Sequence, residues 1–219
     1  MSKTAIVIGA TGLVGTELVN QLTSDDDFIV IKLFVRKVTP FNHPKIEEYI
    51  FDFNAMHLSA ELIIGDVVFC CLGTTIKTAG SKESFSKIDF SYVFNFAQLA
   101  KRNGVHSFAL VSSLGANANS SNFYLKVKGE LETNLTRLKF KNLIIVRPSM
   151  LLGNRTEFRL GELIGKKIMS LLSFIFIGKL KKYKGIEANK VAKAMRILSK
   201  NELKEVAIFE NDRLLEIGG

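Results

Sequence analysis

Residues 9–15 read Gly-Ala-Thr-Gly-Leu-Val-Gly. Residues 4–8 before them are apolar and β-rich, and residues 13–22 after them carry apolar side chains at helical spacing. Strand, glycine turn and helix in that order open a βα unit. Glycines in a G-x-x-G-x-x-G spacing permit a tight turn and close packing of helix on strand. They also let backbone N–H groups approach a bound anion, which the helix N-terminus then faces with its dipole. In this setting the turn is read as a cradle for the pyrophosphate of a dinucleotide rather than as a bare turn.

The same punctuation continues along the chain. Residues 28–35 and 66–72 are continuous apolar runs, as expected for parallel strands covered on both faces. A weaker strand is expected at 46–51, further strands at 105–111 and 143–146, and helices at 90–102 and 122–138. Val93, Phe94, Ala97 and Ala100 are the expected buried stripe of the first of these helices. Alternating strands and helices predict an α/β fold with a doubly wound parallel sheet. Residues 1–150 form the expected dinucleotide-binding core. Residues 151–219 form a small substrate-side extension packed on it, with an amphipathic basic stretch at 157–180, a helix at 187–199 and a short strand at 206–209.

The chain has 219 residues, 47% of them hydrophobic, enough for one sizeable core. Its formal net charge is +9. A polyanionic partner, an anionic membrane surface, and a phosphate-bearing cofactor on a solubilising surface are the competing explanations. The basic residues are spread out and cluster only at 179–184, which argues against a nucleic-acid groove. The stretch 166–184 is read as a lid or solvated helix, with membrane-surface contact as the alternative. Cys70 and Cys71 are adjacent in an apolar run and suit a reducing compartment. The N-terminus lacks a secretory pattern, so a cytoplasmic protein is expected. His43, His57 and His106 are scattered, with no metal-ligand spacing. Asp25, Asp26 and Asp27 read as a solvated loop.

An NAD site places an acid about 20 residues beyond the glycine turn, at the end of the second strand, to hold the ribose 2′-hydroxyl. Here Arg36 and Lys37 stand there instead. Two cations suit a 2′-phosphate, so NADP(H) is favoured over NAD(H). Asp52 and Phe53, after the third strand, are candidates for the adenine edge, the alternative being an ordinary strand-end turn.

Tyr124 and Lys128 are four residues apart and share a helix face. Ser112 and Ser113 end the fifth strand, where open α/β sheets bind ligands. Reducing a carbonyl needs a proton donor poised near neutral pH. A free tyrosine, at a pKa of about 10, reaches that range only if nearby cations favour its phenolate. Lys128 is such a cation, and a serine hydroxyl would hold the carbonyl oxygen.

These features together resemble the atypical branch of the short-chain dehydrogenase/reductase superfamily, with its Rossmann fold. More narrowly, the chain is similar to the Tat-interacting-protein-like oxidoreductases. The glycine turn, FCCLGTT at 69–75, SFALVSSLGANANSSNFYLKVKGELE at 107–132 and VRPSMLLG at 146–153 carry the resemblance. It implies that Gly9, Thr11, Gly12 and Gly15, with Leu13 and Val14 opening the helix, hold the pyrophosphate. It implies Arg36 at the 2′-phosphate and Leu72, Gly73 and Thr74 along the cofactor. Ser113, Tyr124 and Lys128 are the implied catalytic set, Lys128 also meeting the nicotinamide ribose, with Pro148 and Ser149 beside the nicotinamide. Ser112 competes with Ser113. The implied substrate is a small carbonyl or alcohol. Members of this branch can also bind cofactor without a known reaction.

Overall fold

The computed structural model describes residues 2–153, 182–201 and 205–219. In chain order it runs β1 (Lys3–Ile8), α1 (Leu13–Thr23), β2 (Phe28–Val35), β3 (Ile46–Ile50) and β4 (Val67–Cys70), then two short helices α2 (Ile76–Ala79) and α3 (Lys82–Ser86). A π-helical turn, Lys87–Tyr92, leads into α4 (Val93–Arg102), followed by β5 (Ser107–Val111), α5 (Phe123–Arg137) and β6 (Asn142–Arg147). β7 (Leu151–Leu152), β8 (Ile186–Glu187), α6 (Ala188–Leu198), β9 (Glu205–Glu210) and α7 (Asn211–Ile217) complete the described chain.

Seven strands form one parallel sheet in the order β3-β2-β1-β4-β5-β6-β9. This is a Rossmann-type α/β fold, as the alternating pattern predicts. Side chains alternate across the sheet. Ala5 and Val7 face a core built with Leu18, Leu22, Val191 and Met195, while Ile6 and Ile8 face a second core with Phe96, Leu131 and Leu135. The apolar runs are continuous because both faces are covered. The winding reverses between β1 and β4, and at such a switch point the loops leave in opposite directions and open a crevice.

Three elements depart from the sequence expectations. The strand at 205–210 joins the main sheet against β6, so this sheet extends across the expected division at residue 150. The helix expected at 90–102 starts earlier, through the π turn, and buries Val93, Phe96, Ala97 and Ala100. Phe94 instead lies half-buried and stacks on Phe90. Asp25 is buried rather than solvated. It pairs with Arg196 and, at 2.7 Å, with Lys200, fastening α6 to the approach to β2. The basic stretch at 157–180 lies outside the described residues. No described helix is long and apolar enough to cross a membrane.

Candidate functional site

The crevice at the C-terminal ends of β1, β4 and β5 is lined on one side by Gly12, Leu13 and Val14, and along its floor by residues 71–75. Val111 and Ser112 follow β5, Tyr124 and Lys128 come from α5, and Asp89 and Leu151 close it. The glycine turn is tight for steric reasons. Gly9 has φ +78°, and a Cβ there would lie 2.4 Å from the Leu72 nitrogen. A Cβ on Gly15 would lie 2.1 Å from the Gly9 oxygen. At Gly12 the nearest such contact is 3.3 Å, so its open side belongs to the crevice.

Gly12 is the N-cap of α1. It provides no side-chain cap, and the first turn carries no acid. The leading N–H groups therefore remain for an anion. The bare glycine edge, the uncapped helix and the apolar Leu72–Gly73 floor fit a dinucleotide. Gly9 and Gly15 shape the turn from below, and Thr11 is exposed beside it.

Arg36 and Lys37 lie exposed just beyond β2, the neighbour of β1, outside the crevice lining. Asp52 accepts the Asn54 N–H at 2.8 Å in a local turn, and Phe53 is buried edge-on to Phe51. The Asp52 carbonyl accepts the Ala55 N–H at 3.0 Å, which leaves the Phe53 backbone and the second Asp52 carboxylate oxygen for any adenine contact. Pro148 is buried, its carbonyl accepting the Leu114 N–H. Ser149 gives its N–H to Asn211 and its hydroxyl to the Lys184 carbonyl. Neither residue lines the crevice.

The helix α5 begins where Asn122 caps the Leu125 N–H at 3.2 Å. Four-residue spacing then brings Tyr124, Lys128 and Glu132 onto one side. Lys128 is buried, with its Nζ 2.7 Å from Asp89 Oδ1. Burial alone pushes this ammonium down, but Asp89 and Tyr124 push it up more, and it ends above the ordinary lysine value. Glu132 binds Arg147 through two hydrogen bonds and accepts the Ser112 hydroxyl at 2.5 Å. Ser112 is therefore occupied. Among the described residues the Ser113 hydroxyl makes a single long contact, 3.4 Å to the Leu114 carbonyl, and Ser113 does not line the crevice.

The sequence reading missed Asp89 and Glu132. Each left a faint signal. Asp89 stands four residues before Val93, in phase with the buried stripe, and Glu132 stands four after Lys128. Among the described residues no cluster of His, Cys, Asp and Glu is placed to hold a metal.

A family model described as NAD(P)H-binding matches residues 9–167. Protein HTATIP2 of Rattus norvegicus is 37% identical over 175 residues, covering 78% of this chain and 72% of that protein. Protein FMP52-1, mitochondrial, of Scheffersomyces stipitis is 40% identical over 161 residues, covering 69% and 68%. The solved structure of MoeE5 in complex with UDP-glucose and NAD superposes with a TM-score of 0.71 at 13% identity, covering 98% of this chain and 80% of that one. A UDP-glucose 4-epimerase from Thermotoga maritima gives 0.70 at 13% identity, covering 94% and 76%. At such identities these structures speak for the fold alone. The yeast relatives overturn the cytoplasmic expectation, because their names place them in mitochondria. The free cysteines Cys70 and Cys71 suit any reducing compartment. They do not separate cytosol from mitochondrion.

Proposed function

The chain belongs to the NAD(P)H-binding family, and from that premise we propose that it is an NADP(H)-dependent oxidoreductase of short-chain dehydrogenase type, acting on a small carbonyl or alcohol. The carrying observation is that Tyr124 and Lys128 line the same crevice as the uncapped N-terminus of α1. Gly12, Leu13 and Val14 would hold the pyrophosphate, Leu72 to Thr74 the middle of the cofactor, and Arg36 with Lys37 the 2′-phosphate. Asp52 and Phe53 would offer backbone and carboxylate to the adenine. Pro148 and Ser149 would flank the nicotinamide end from behind. NADPH, when bound, supplies the hydride.

The chain's own residues handle the proton. Tyr124 gives its hydroxyl proton to the carbonyl oxygen, and the resulting phenolate is stabilised by the Lys128 ammonium. Lys128 stays charged for this role because its neighbours outweigh the cost of burial. Ser112 is held by Glu132, so Ser113 is the hydroxyl left to rotate toward substrate. Arg36 and Lys37 support the preference for NADP(H), since residues 36–45 after β2 carry no acid of their own and the Glu48 carboxylate nearby is taken up by Thr39.

The test is NADPH oxidation against a broad panel of aldehydes and ketones. Turnover that disappears in Tyr124→Phe and Lys128→Met is expected. No oxidation above that of Tyr124→Phe refutes the catalytic reading. A second reading, a catalytically silent cofactor-binding regulator, is favoured by the absence of Ser113 from the crevice lining. It predicts a thermal shift with NADPH but no turnover, and a partner affinity that changes when NADPH binds.

A further inference from the structure

A second cavity, of about 180 Å³, lies at the opposite end of the parallel sheet from the crevice. The first residues of β1, β5 and β6 line it, Lys3, Ser107 and Asn142, together with His106 and the chain from Ser199 to Asn201 after α6. No described residue lines both spaces, so an occupant here does not compete with the cofactor. At roughly 30 Å³ per water in the liquid, the space holds about six waters or one small metabolite. Asn142 is its buried polar group, 6% exposed, at the head of a strand that continues through aliphatic residues. Its backbone N–H goes to the His106 carbonyl at 3.1 Å, and its Nδ2 donates to the Asn201 carbonyl at 3.2 Å. That carbonyl fixes the amide, since turning it over would set two oxygens against each other. Oδ1 is the end left over, and it is buried with no partner. An acceptor in that state is costly until a donor reaches it.

The opposite chemistry stands around it. Lys3 Nζ donates to the Ser199 carbonyl over a long 3.3 Å and has no carboxylate partner among the described residues. The Ser107 hydroxyl and the His106 ring have no hydrogen-bond partner among them either. Two other charges of the lining are already satisfied. Lys200 is held by Asp25 at 2.7 Å and Asp27 at 2.5 Å, and the Asp66 carboxylate takes the Thr4 N–H at 2.6 Å. What stays unmet is a cation with neutral donors and a single acceptor. Lys3 and Asn142 rest on carbonyls two residues apart, Ser199 and Asn201, so one small molecule can span both. We propose that this cavity binds a small carboxylate that also carries a hydroxyl or ammonium group, with the carboxylate at Lys3 and Ser107 and the donor at Asn142 Oδ1. A plain carboxylate leaves Oδ1 bare, and a neutral alcohol leaves the Lys3 ammonium without a counter-charge. The site is independent of any chemistry at Tyr124 and Lys128.

The experiment titrates the ¹⁵N-labelled full chain at constant ionic strength and follows its amide signals by two-dimensional NMR. The probes are glycolate and glycine, each a carboxylate with a donor, and acetate, which has the carboxylate alone. Glycolate or glycine should move the Ser107, Asn142 and Asn201 signals to saturation, with a Kd at least about ten-fold below that of acetate. The signals of Gly12 and Gly73, in the crevice, should stay in place. In Lys3→Met the Kd of the bound probe should rise at least about ten-fold, because a charge-assisted hydrogen bond is lost. Lys3→Gln is the second variant and carries the same expectation. The comparison of probes needs no variant at all. No saturable movement with glycolate or glycine overturns the proposal, and so does equal binding of acetate, since the Asn142 acceptor then plays no part. Unchanged affinity in the Lys3 variants overturns it as well. Turnover of a carbonyl substrate, or its lack, leaves these readouts untouched.

Discussion

Two alanine substitutions separate the scaffold of the glycine turn from its ligand. At Gly12 the backbone has φ −77°, which alanine adopts freely. The new methyl meets only the Gly9 oxygen at 3.3 Å and the Cys71 oxygen at 3.8 Å. Losing a favoured N-cap residue costs about 1 kcal/mol or less, which lowers Tm by at most about 4 °C in a chain of this size. At Gly15 the methyl falls 2.1 Å from the Gly9 oxygen and 2.9 Å from the Ala10 Cα, both backbone atoms that cannot rotate away. Overpacking of that kind costs about 3 kcal/mol, or roughly 6–12 °C. A ligand at 100 times its Kd stabilises the parent by about 2.7 kcal/mol, hence by roughly 5–11 °C. Melting curves with and without NADPH should show Gly12→Ala nearly as stable as the parent but without the NADPH shift, and Gly15→Ala destabilised. If Gly12→Ala keeps the full shift, the pyrophosphate does not rest on this helix end. If Gly15→Ala melts with the parent, the close packing of α1 on the turn is wrong.

Arg36→Asp should weaken NADPH binding by about ten-fold or more, since it removes a charge-assisted hydrogen bond of roughly 1.5–3 kcal/mol, and should reverse the preference toward NADH. Equal NADPH affinity in titration calorimetry would place the 2′-phosphate elsewhere. Asp25→Asn should destabilise the fold by about 1–2 kcal/mol at neutral pH in urea unfolding, because it removes the charge between Lys200 and Arg196. Burial pulls the Asp25 carboxyl upward, but Lys200, the Asp27 N–H and Arg196 pull it down further, below the ordinary value of 3.8. Its contribution is therefore full above that value and is lost as pH falls through the lower folded one. The gap between the two proteins should close in that acid range, and a gap constant down to full protonation would count against the pairing.

What short-range physics specifies was legible in the residues. Continuous apolar runs and period-3.6 patterns, with glycines at their ends, placed β1, β2, the turn at residue 9 and the helix bearing Tyr124 and Lys128 close to where they lie. The cradle was legible because its geometry belongs to seven consecutive residues, 9–15. The tertiary structure alone decided the partnerships between distant segments. Nothing local distinguishes Asp89, paired with Lys128, from a solvated acid, or Ser112, tied to Glu132, from Ser113. Asp25 looked like one of three loop acids until α6 brought Arg196 and Lys200 against it. The strand at 205–210 likewise carried no mark of its partner. Burial of a charge, or addition of a strand, is favourable only once the opposing group is already in place. That placement is a property of the assembled sheet and its helices and not of any window along the chain.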